Sequence, residues 1–492
     1  LIAKETPAVF DWQQLGIFTG KPETSSRRRF KVNLATFVAT FALVVKKIVT
    51  HFAPHLDELL AAIIVRMYGK DALPGIETAP IEVRKGNTSV RMDPTEYLRQ
   101  YGHLMIGCGE WQLDEHGDGN EAVCAADLVA RELGVKNNPK LKRLLDFVRR
   151  EDLEGHTTAL DLAQCVKVMN FHAKRRQPKH MEAWLATVIH LYLSDDTTFP
   201  IVDPKCRVLP QLYARWLDEN HFKSTDPNLK HLTRLVNVLA KQPASILFDA
   251  AECTALLCAH HPDGQEAAYR WLVPMFEAFM AKQADFLLSV TALECQKTEI
   301  LRPQPRSHIS ECWQVVTVPR QFNNGDLKSL NAAARYLYRY LDFLIVQRPN
   351  SATSILQQKA FSGDMLRMIA RGIRLEEQIA EGIPSDELTD DFDTLGAPRR
   401  LDCASRWYLF INEHNNGGAL FNAAFTQPEI KPTSIILEDI ANVIHDIILR
   451  VVRTGATEST WSHYVLQRRN RLDRECTAKP GCNKLGDVVK FA

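Results

Sequence analysis

Hydrophobic positions change their spacing along the chain, and the spacing predicts the elements. In VVKKIVT (44–50) the run is short and β-branched, which predicts a strand. The apolar residues that follow, Leu59, Leu60, Ile63, Ile64 and Met67, recur at helical intervals, and Gly69 stands where that helix would stop. IEVRK (81–85) and HLMIGCG (103–109) read as two further strands. NEAVCAADLVARELG reads as a helix capped by Asn120 and closed by Gly134. Strands alternating with helices predict an α/β fold, a parallel or mixed sheet with covering helices.

From about 137 to 290 the pattern is almost wholly helical, as in PKLKRLLDFVRRED, MEAWLATVIHLYL and LKHLTRLVNVLAKQ. Strand character returns in YLDFLIVQR, TSILQQ and RWYLFINEH, interleaved with the amphipathic GDMLRMIARGIRLEEQIAEG and LEDIANVIHDIILRVV. The pattern divides the chain into an irregular extension (1–43), an α/β domain (44–200), a helical region (201–329) and a C-terminal α+β domain (330–492). Within the last, the acidic, turn-rich GIPSDELTDDFDTLGAP (382–398) reads as a surface loop.

Composition adds constraints rather than detail. A chain of 492 residues is long for one core, and 45% hydrophobic with 24% charged residues excludes a disordered chain. A net charge of +1 provides no global field toward nucleic acid or membrane, so any anion-binding surface is local. Arg27, Arg28 and Arg29, then Lys174, Arg175 and Arg176, then Arg468 and Arg469 with Arg471, are the basic clusters, and each also reads as solvated charge. Eleven cysteines without framework spacing point to reduced thiols and a cytoplasmic compartment. ECTALLCAHH, with Cys253, Cys258, His260 and His261, has no zinc spacing and reads as a helix with buried thiols. Cys476 and Cys482 flank a turn and read as a loop rather than a bridge. The apolar run 32–45 is short of the ~20 residues a spanning helix needs. No small-residue cleavage site follows it, so it does not read as a signal peptide.

The chemistry concentrates in THFAPHLDELL (50–60). His51, His55 and Asp57 fall between a predicted strand and a predicted helix, and open α/β sheets hold ligands beyond the carboxyl ends of their strands. Imidazoles with a carboxylate suit Mn²⁺, Fe²⁺ or Zn²⁺ better than Ca²⁺, while Asp57 also suits a helix start. GCGEWQLDEHGDGN repeats the arrangement after another strand, with Glu110, Asp114, Glu115, His116 and Asp118. RREDLEGH offers Glu151, Asp152 and His156 at a helix end, where a charged terminus is the competing reading.

In their order these segments resemble the DHH phosphoesterase superfamily, and within it the branch containing the melanocyte proliferating gene protein, a predicted metal-dependent hydrolase with exonuclease-like features. The likeness rests on Thr50, His51, His55, Asp57 and Glu58, on Asp114–Glu115–His116 in the place of an Asp-His-His motif, and on Asp152 as the later acidic position. It covers about 46–165 and extends loosely beyond. The resemblance implies a DHH-like fold and hydrolysis of phosphodiester or phosphoanhydride bonds. It implies a divalent ion, Mn²⁺ foremost, on His51, His55, Asp57, Glu115 and Asp152. Asp114 and His116 are the implied catalytic residues, His116 facing the substrate phosphate or protonating the leaving oxygen. The implied substrate carries phosphate, a class that includes single-stranded nucleic acid, and Lys174, Arg175 and Arg176 would track its backbone.

Two departures stand against the pattern. Glu115 replaces a ligating histidine, and Ile106–Gly107–Cys108–Gly109 stands where the family has an aspartate that bridges two metals. Glu110 or Cys108 would have to substitute for it. The alternative expectation is a catalytically inactive binding or assembly subunit, a homo-oligomer or a protein partner's mate, with the helical middle as its interface. On the bridging argument, Gly107→Asp would raise metal stoichiometry. If Gly107 instead serves a positive φ or a close backbone approach, the substitution would only destabilise the fold.

Overall fold

The computed structural model describes residues 43–84, 94–108, 112–114, 123–154, 158, 160–171, 177–194, 208–241, 248–296, 298–301, 313–323, 327–357, 363–412, 417–422 and 430–477. Among them are fifteen α-helices and two sheets, one parallel and one mixed.

The parallel sheet is built of β1 (Lys47–His51), β2 (Ile81–Arg84) and β3 (His103–Met105), with β1 in the centre. Ile48 pairs with Ile81 on one side and Leu104 on the other. All three strands therefore end on one edge. The helix α1 (Leu56–Tyr68) follows β1, and residues 56–65 are buried without a break. That continuous burial is why its apolar positions run together: α1 is enclosed by the sheet and by other helices. Further along the chain come α2 (Pro94–Tyr101), α3 (Ala125–Glu132), α4 (Pro139–Leu153), α5 (Leu162–Met169) and α6 (Pro178–Leu193). α1 lies against α3 and α6. At its last turn Arg66 pairs with Glu182 of α6 and donates to the carbonyls of Ile76 (2.9 Å) and Ala79 (2.7 Å), bracing the segment that leads into β2. The expected cap of α3 at Asn120 lies outside the described residues; the helix begins at Ala125 with Cys124 as its N-cap, and Gly134 follows its end with φ +70°.

The helical part continues with α7 (Val208–Glu219), α8 (Lys230–Leu239), α9 (Ala250–His260) and α10 (Gly264–Glu294). Trp184 and Trp271 lock α6 to α10. Their rings stack 4.7 Å apart, and each indole N–H donates to the other's carbonyl, at 2.7 and 3.0 Å. Aromatic area and two satisfied N–H groups are gained in one contact. ECTALLCAHH lies mostly within α9 as a helix, with Cys253 buried.

α10 runs on into the second core. Its first half joins the core under the parallel sheet, while Phe286, Val290 and Leu293 pack against the mixed sheet. That sheet comprises β4 (Thr298–Leu301), β5 (Trp313–Val318), β6 (Phe343–Gln347), β7 (Thr353–Gln357), β8 (Arg399–Leu401), β9 (Ala404–Asn412) and β10 (Gly417–Asn422), in the order β4-β5-β6-β7-β10-β9-β8. It takes in β4 and β5, upstream of residue 330. Only β5 and β6 pair in parallel. Successive residues alternate between two cores: Val315, Phe343 and Ile345 face one, Val316, Leu344 and Val346 the other. Both faces are covered, so the strand reads as an unbroken apolar run.

α11 (Leu330–Leu337) with α10 covers one face; α12 (Gly363–Ala380) and α14 (Leu437–Thr454) serve the other, with α13 (Phe392–Gly396) and α15 (Glu458–Thr477) beside them. The stretch 382–398, expected as a surface loop, is partly docked. Leu388 and Leu395 are buried, α13 forms within it, and the buried Arg374 donates to the carbonyls of Leu395 (2.7 Å) and Ala397 (2.8 Å). Arg468 is likewise not a solvated charge: it pairs with Glu376, which Tyr464 also bonds, and Arg469 pairs with Asp390. Cys476 lies on α15, and Cys482 is outside the described residues. No described helix is long and apolar enough to cross a membrane.

Candidate metal centre

His51 is the last residue of β1, and His55 is the N-cap of α1. Between them Ala53 takes φ +58°, which turns the chain sharply enough to bring the two imidazoles within 5.3 Å. Asp57 and Glu58 occupy the first turn of α1, where the helix dipole favours carboxylates. Asp152, one residue from the end of α4, completes the group. Potential ligand atoms of His51, His55 and Glu58 lie within 4.8 Å of one another, and so do those of His55, Asp57 and Asp152. The two sets share His55 and form one patch beyond the carboxyl edge of the parallel sheet.

Glu58 is more than a capping residue. One carboxylate oxygen accepts from the His55 amide at 2.6 Å; the other lies 2.6 Å from His51 Nδ1. Asp57 is 2% exposed. Its Oδ2 accepts from the Ala125 amide at the start of α3, 3.3 Å away, and its buried Oδ1 has no hydrogen-bond donor among the described residues. Burial foremost, and then the charges of Glu58 and Asp152, hold the Asp57 carboxyl well above the ordinary carboxylate range. Three carboxylates and two imidazoles thus converge where one oxygen lacks a donor, and a bound cation would offset the repulsion among them.

Gly107, just beyond β3, has φ +63°. A Cβ placed on it would lie 2.5 Å from Glu58 Cγ and 3.2 Å from Glu58 Oε1. The expected positive φ holds, and the close approach is made by the Glu58 side chain rather than by backbone. The carboxylate of Glu58, reaching across from α1, fills the neighbouring space. Cys108, considered as a substitute ligand, instead donates its thiol to the Val49 carbonyl at 3.5 Å. Gly107→Asp has no room as the backbone stands, so the expected gain of a second metal through that substitution is replaced by a steric conflict with Glu58.

Of the residues singled out from the sequence, His51, His55, Asp57 and Asp152 come together. Asp114 is buried; its neighbour Leu113 accepts from the Gly107 amide at 2.8 Å. Glu110, Glu115, His116, Asp118, His156, Lys174, Arg175 and Arg176 lie outside the described residues. Glu58 was part of the recognised motif, but no ligand role followed from its sequence position. Its spacing three residues after the N-cap signals capping; only the approach of Gly107 brings out the rest. Asp127 and Arg149, also missed, form a fork behind the site, with bonds of 2.8 and 2.7 Å tying α3 to α4. They hold the two helix ends that carry Asp57's amide partner and Asp152.

Comparison with known proteins finds no matching family model, no matching curated protein and no matching solved structure.

Proposed function

We propose that this chain is a divalent-metal-dependent phosphoesterase resembling the DHH phosphoesterases, with nuclease-like hydrolysis of phosphodiester or phosphoanhydride bonds as its reaction. The observation that carries this reading is the pair of ligand groups that share His55, one with His51 and Glu58 and one with Asp57 and Asp152. Mixed nitrogen and oxygen donors fit Mn²⁺, Fe²⁺ or Zn²⁺, and the carboxylate majority favours Mn²⁺. His51, His55, Asp57 and Asp152 would hold the ion, with Glu58 supplying the carboxylate that Gly107 does not. Such an ion lowers the pKa of bound water and polarises a phosphoryl oxygen.

The protein's own groups have separable tasks. Glu58 Oε1 lies 2.6 Å from His51 Nδ1 and would orient the ring so that the other nitrogen is left for the ion. The Ala125 amide holds Asp57 Oδ2, and Oδ1 is the oxygen of that carboxylate without a hydrogen-bond donor among the described residues. Exposed His55 and Asp152 form its open side, where a substrate phosphate has access. His116 is retained in this proposal as the group that faces the phosphate or protonates the leaving oxygen, with Asp114 beside it in sequence.

A second reading, a catalytically silent binding or assembly subunit, is favoured by Gly107, which leaves the bridging position without a carboxylate of its own. Turnover of bis(p-nitrophenyl) phosphate and of a short single-stranded oligonucleotide in Mn²⁺ separates the two. The phosphoesterase reading expects Mn²⁺-dependent turnover that Asp57→Asn removes. Bound Mn²⁺ with no turnover of either substrate would favour the silent subunit.

A further inference from the structure

His51, His55, Asp57 and Glu58 come from one short stretch that ends β1 and begins α1, whereas Asp152 is brought to them by α4. Whatever fixes α4 therefore decides whether the ligand group of His55, Asp57 and Asp152 is closed.

A buried ion pair fixes it. Asp127, in the first turn of α3, is 1% exposed. Arg149 of α4 grips both of its oxygens, Nε to Oδ2 at 2.8 Å and Nη2 to Oδ1 at 2.7 Å. The Cys124 thiol at the N-cap of α3 donates to Oδ2 at 3.6 Å, and Lys136 Nζ lies 3.8 Å from Oδ1. An apolar contact of similar size would hold two helices together as well. The planar fork adds a defined orientation that a point charge does not.

Each partner of the fork stands next to a ligand. Arg149 precedes Asp152 by three positions on α4, so the two share a helix face. Asp127 lies in the same helical turn as Ala125, whose amide donates to Asp57 Oδ2. One path thus runs from Asp57 through the start of α3, Asp127 and Arg149 to Asp152. Neither Asp127 nor Arg149 belongs to a ligand group, and the charges acting most on Asp57 are those of Glu58, Asp152 and His51. The fork therefore acts on the site through geometry. With Asp152 in place, carboxylates outnumber imidazoles, which suits Mn²⁺; with Asp152 displaced, the group of His51, His55 and Glu58 remains, a set that suits Zn²⁺.

We propose that Arg149, acting through Asp127, is a positioning residue that brings Asp152 and Asp57 to one ion and so sets how well the centre holds Mn²⁺ relative to Zn²⁺. This rests on the metal-centre reading and adds to it the residue that governs the choice of ion.

The test compares two ions and two forks. Chelator-stripped wild type, Arg149→Lys, Asp127→Asn and Arg66→Lys are titrated with Mn²⁺ and with Zn²⁺ by equilibrium dialysis, and urea unfolding is measured for each. Arg149→Lys keeps the charge and loses the fork. Asp127→Asn keeps the shape of the partner and carries the test if Arg149→Lys folds poorly. Arg66→Lys breaks the comparable fork to Glu182, at the far end of α1 from Asp57, and reports what loss of such a pair does by itself. Arg149→Lys and Asp127→Asn are expected to bind Mn²⁺ roughly tenfold more weakly. Their Zn²⁺ affinity, and the affinity of Arg66→Lys for both ions, should stay within about twofold of wild type. Unchanged Mn²⁺ affinity in the fork variants, equal losses of Mn²⁺ and Zn²⁺, or an equal Mn²⁺ loss in Arg66→Lys overturns the positioning role and leaves the metal centre standing. A wild type that binds no Mn²⁺ overturns the Mn²⁺ centre, and the positioning role with it.

Discussion

Gly107→Ala tests the packing of the candidate site with a single methyl group. Two costs follow from the structure. At φ +63° an L-residue in the left-handed region costs about 1–2 kcal/mol relative to glycine. The new Cβ would also meet Glu58 Cγ at 2.5 Å, a distance that forces a shift. Cγ is not the free end of that side chain, since its carboxylate is held by the His55 amide and lies against His51. Moving it loosens a hydrogen bond to a charged group, a contribution of about 1.5–3 kcal/mol. Together the expected loss is roughly 3 kcal/mol. Urea unfolding of the wild type, Gly107→Ala, Glu58→Ala and the double variant separates the two terms. Truncating Glu58 removes the atom in the way, so Gly107→Ala should cost only about 1–2 kcal/mol in that background, and a coupling of roughly 1–2 kcal/mol should appear. A cost under about 0.5 kcal/mol in the wild type, or the same cost in both backgrounds, would refute the close approach of Glu58 to Gly107.

Three more outcomes are expected elsewhere. Asp249 caps α9, and burial foremost, with Asp161 adding to it, raises its pKa from 3.8 to about 6. The fold therefore holds a proton that the unfolded chain releases, so this contribution is present below about pH 4 and is lost as pH rises toward 6. Asp249→Asn keeps the acceptor for the Glu252 amide and removes the charge; it should stabilise the protein by roughly 2–3 kcal/mol at pH 8 and hardly at all at pH 4, and a gain independent of pH in calorimetry would contradict this. Trp184→Phe should cost about 1–3 kcal/mol in urea unfolding, because it leaves the buried Trp271 carbonyl without its donor. Glu377→Gln should be severely destabilising, by about 3 kcal/mol or more, since Glu377 is buried and takes the Trp407 indole, the Ser434 amide and Arg406; near-neutral unfolding energetics would exclude that knot as a fixed feature.

The parallel sheet was legible because its signals are local. A short β-branched run, a helical period and a glycine stop are properties of adjacent residues, and β1 and α1 lie close to where those signals put them. The meeting of His51, His55 and Asp57 followed from the same loop, and Asp152 from a family likeness. Glu58 was hidden because its cap role looks sufficient from sequence, while its second neighbour, Gly107, is distant in the chain. Arg468 and the stretch 382–398 looked solvent-facing because charge and turn residues usually are. Their partners, Glu376 in one case and the buried Arg374 in the other, lie on α12, and no local pattern announces such pairings.

Metal binding to the purified protein tests the central claim most directly. Wild type, Asp57→Asn and His51→Ala are stripped with chelator, equilibrated with Mn²⁺, and analysed for bound ion by equilibrium dialysis and elemental analysis. The wild type should retain roughly one ion per chain through its nitrogen and carboxylate donors, and both variants should lose most of it while keeping the wild-type circular dichroism spectrum. Equal Mn²⁺ content in all three proteins, or none in the wild type, would contradict a metal centre at His51, His55, Asp57, Glu58 and Asp152.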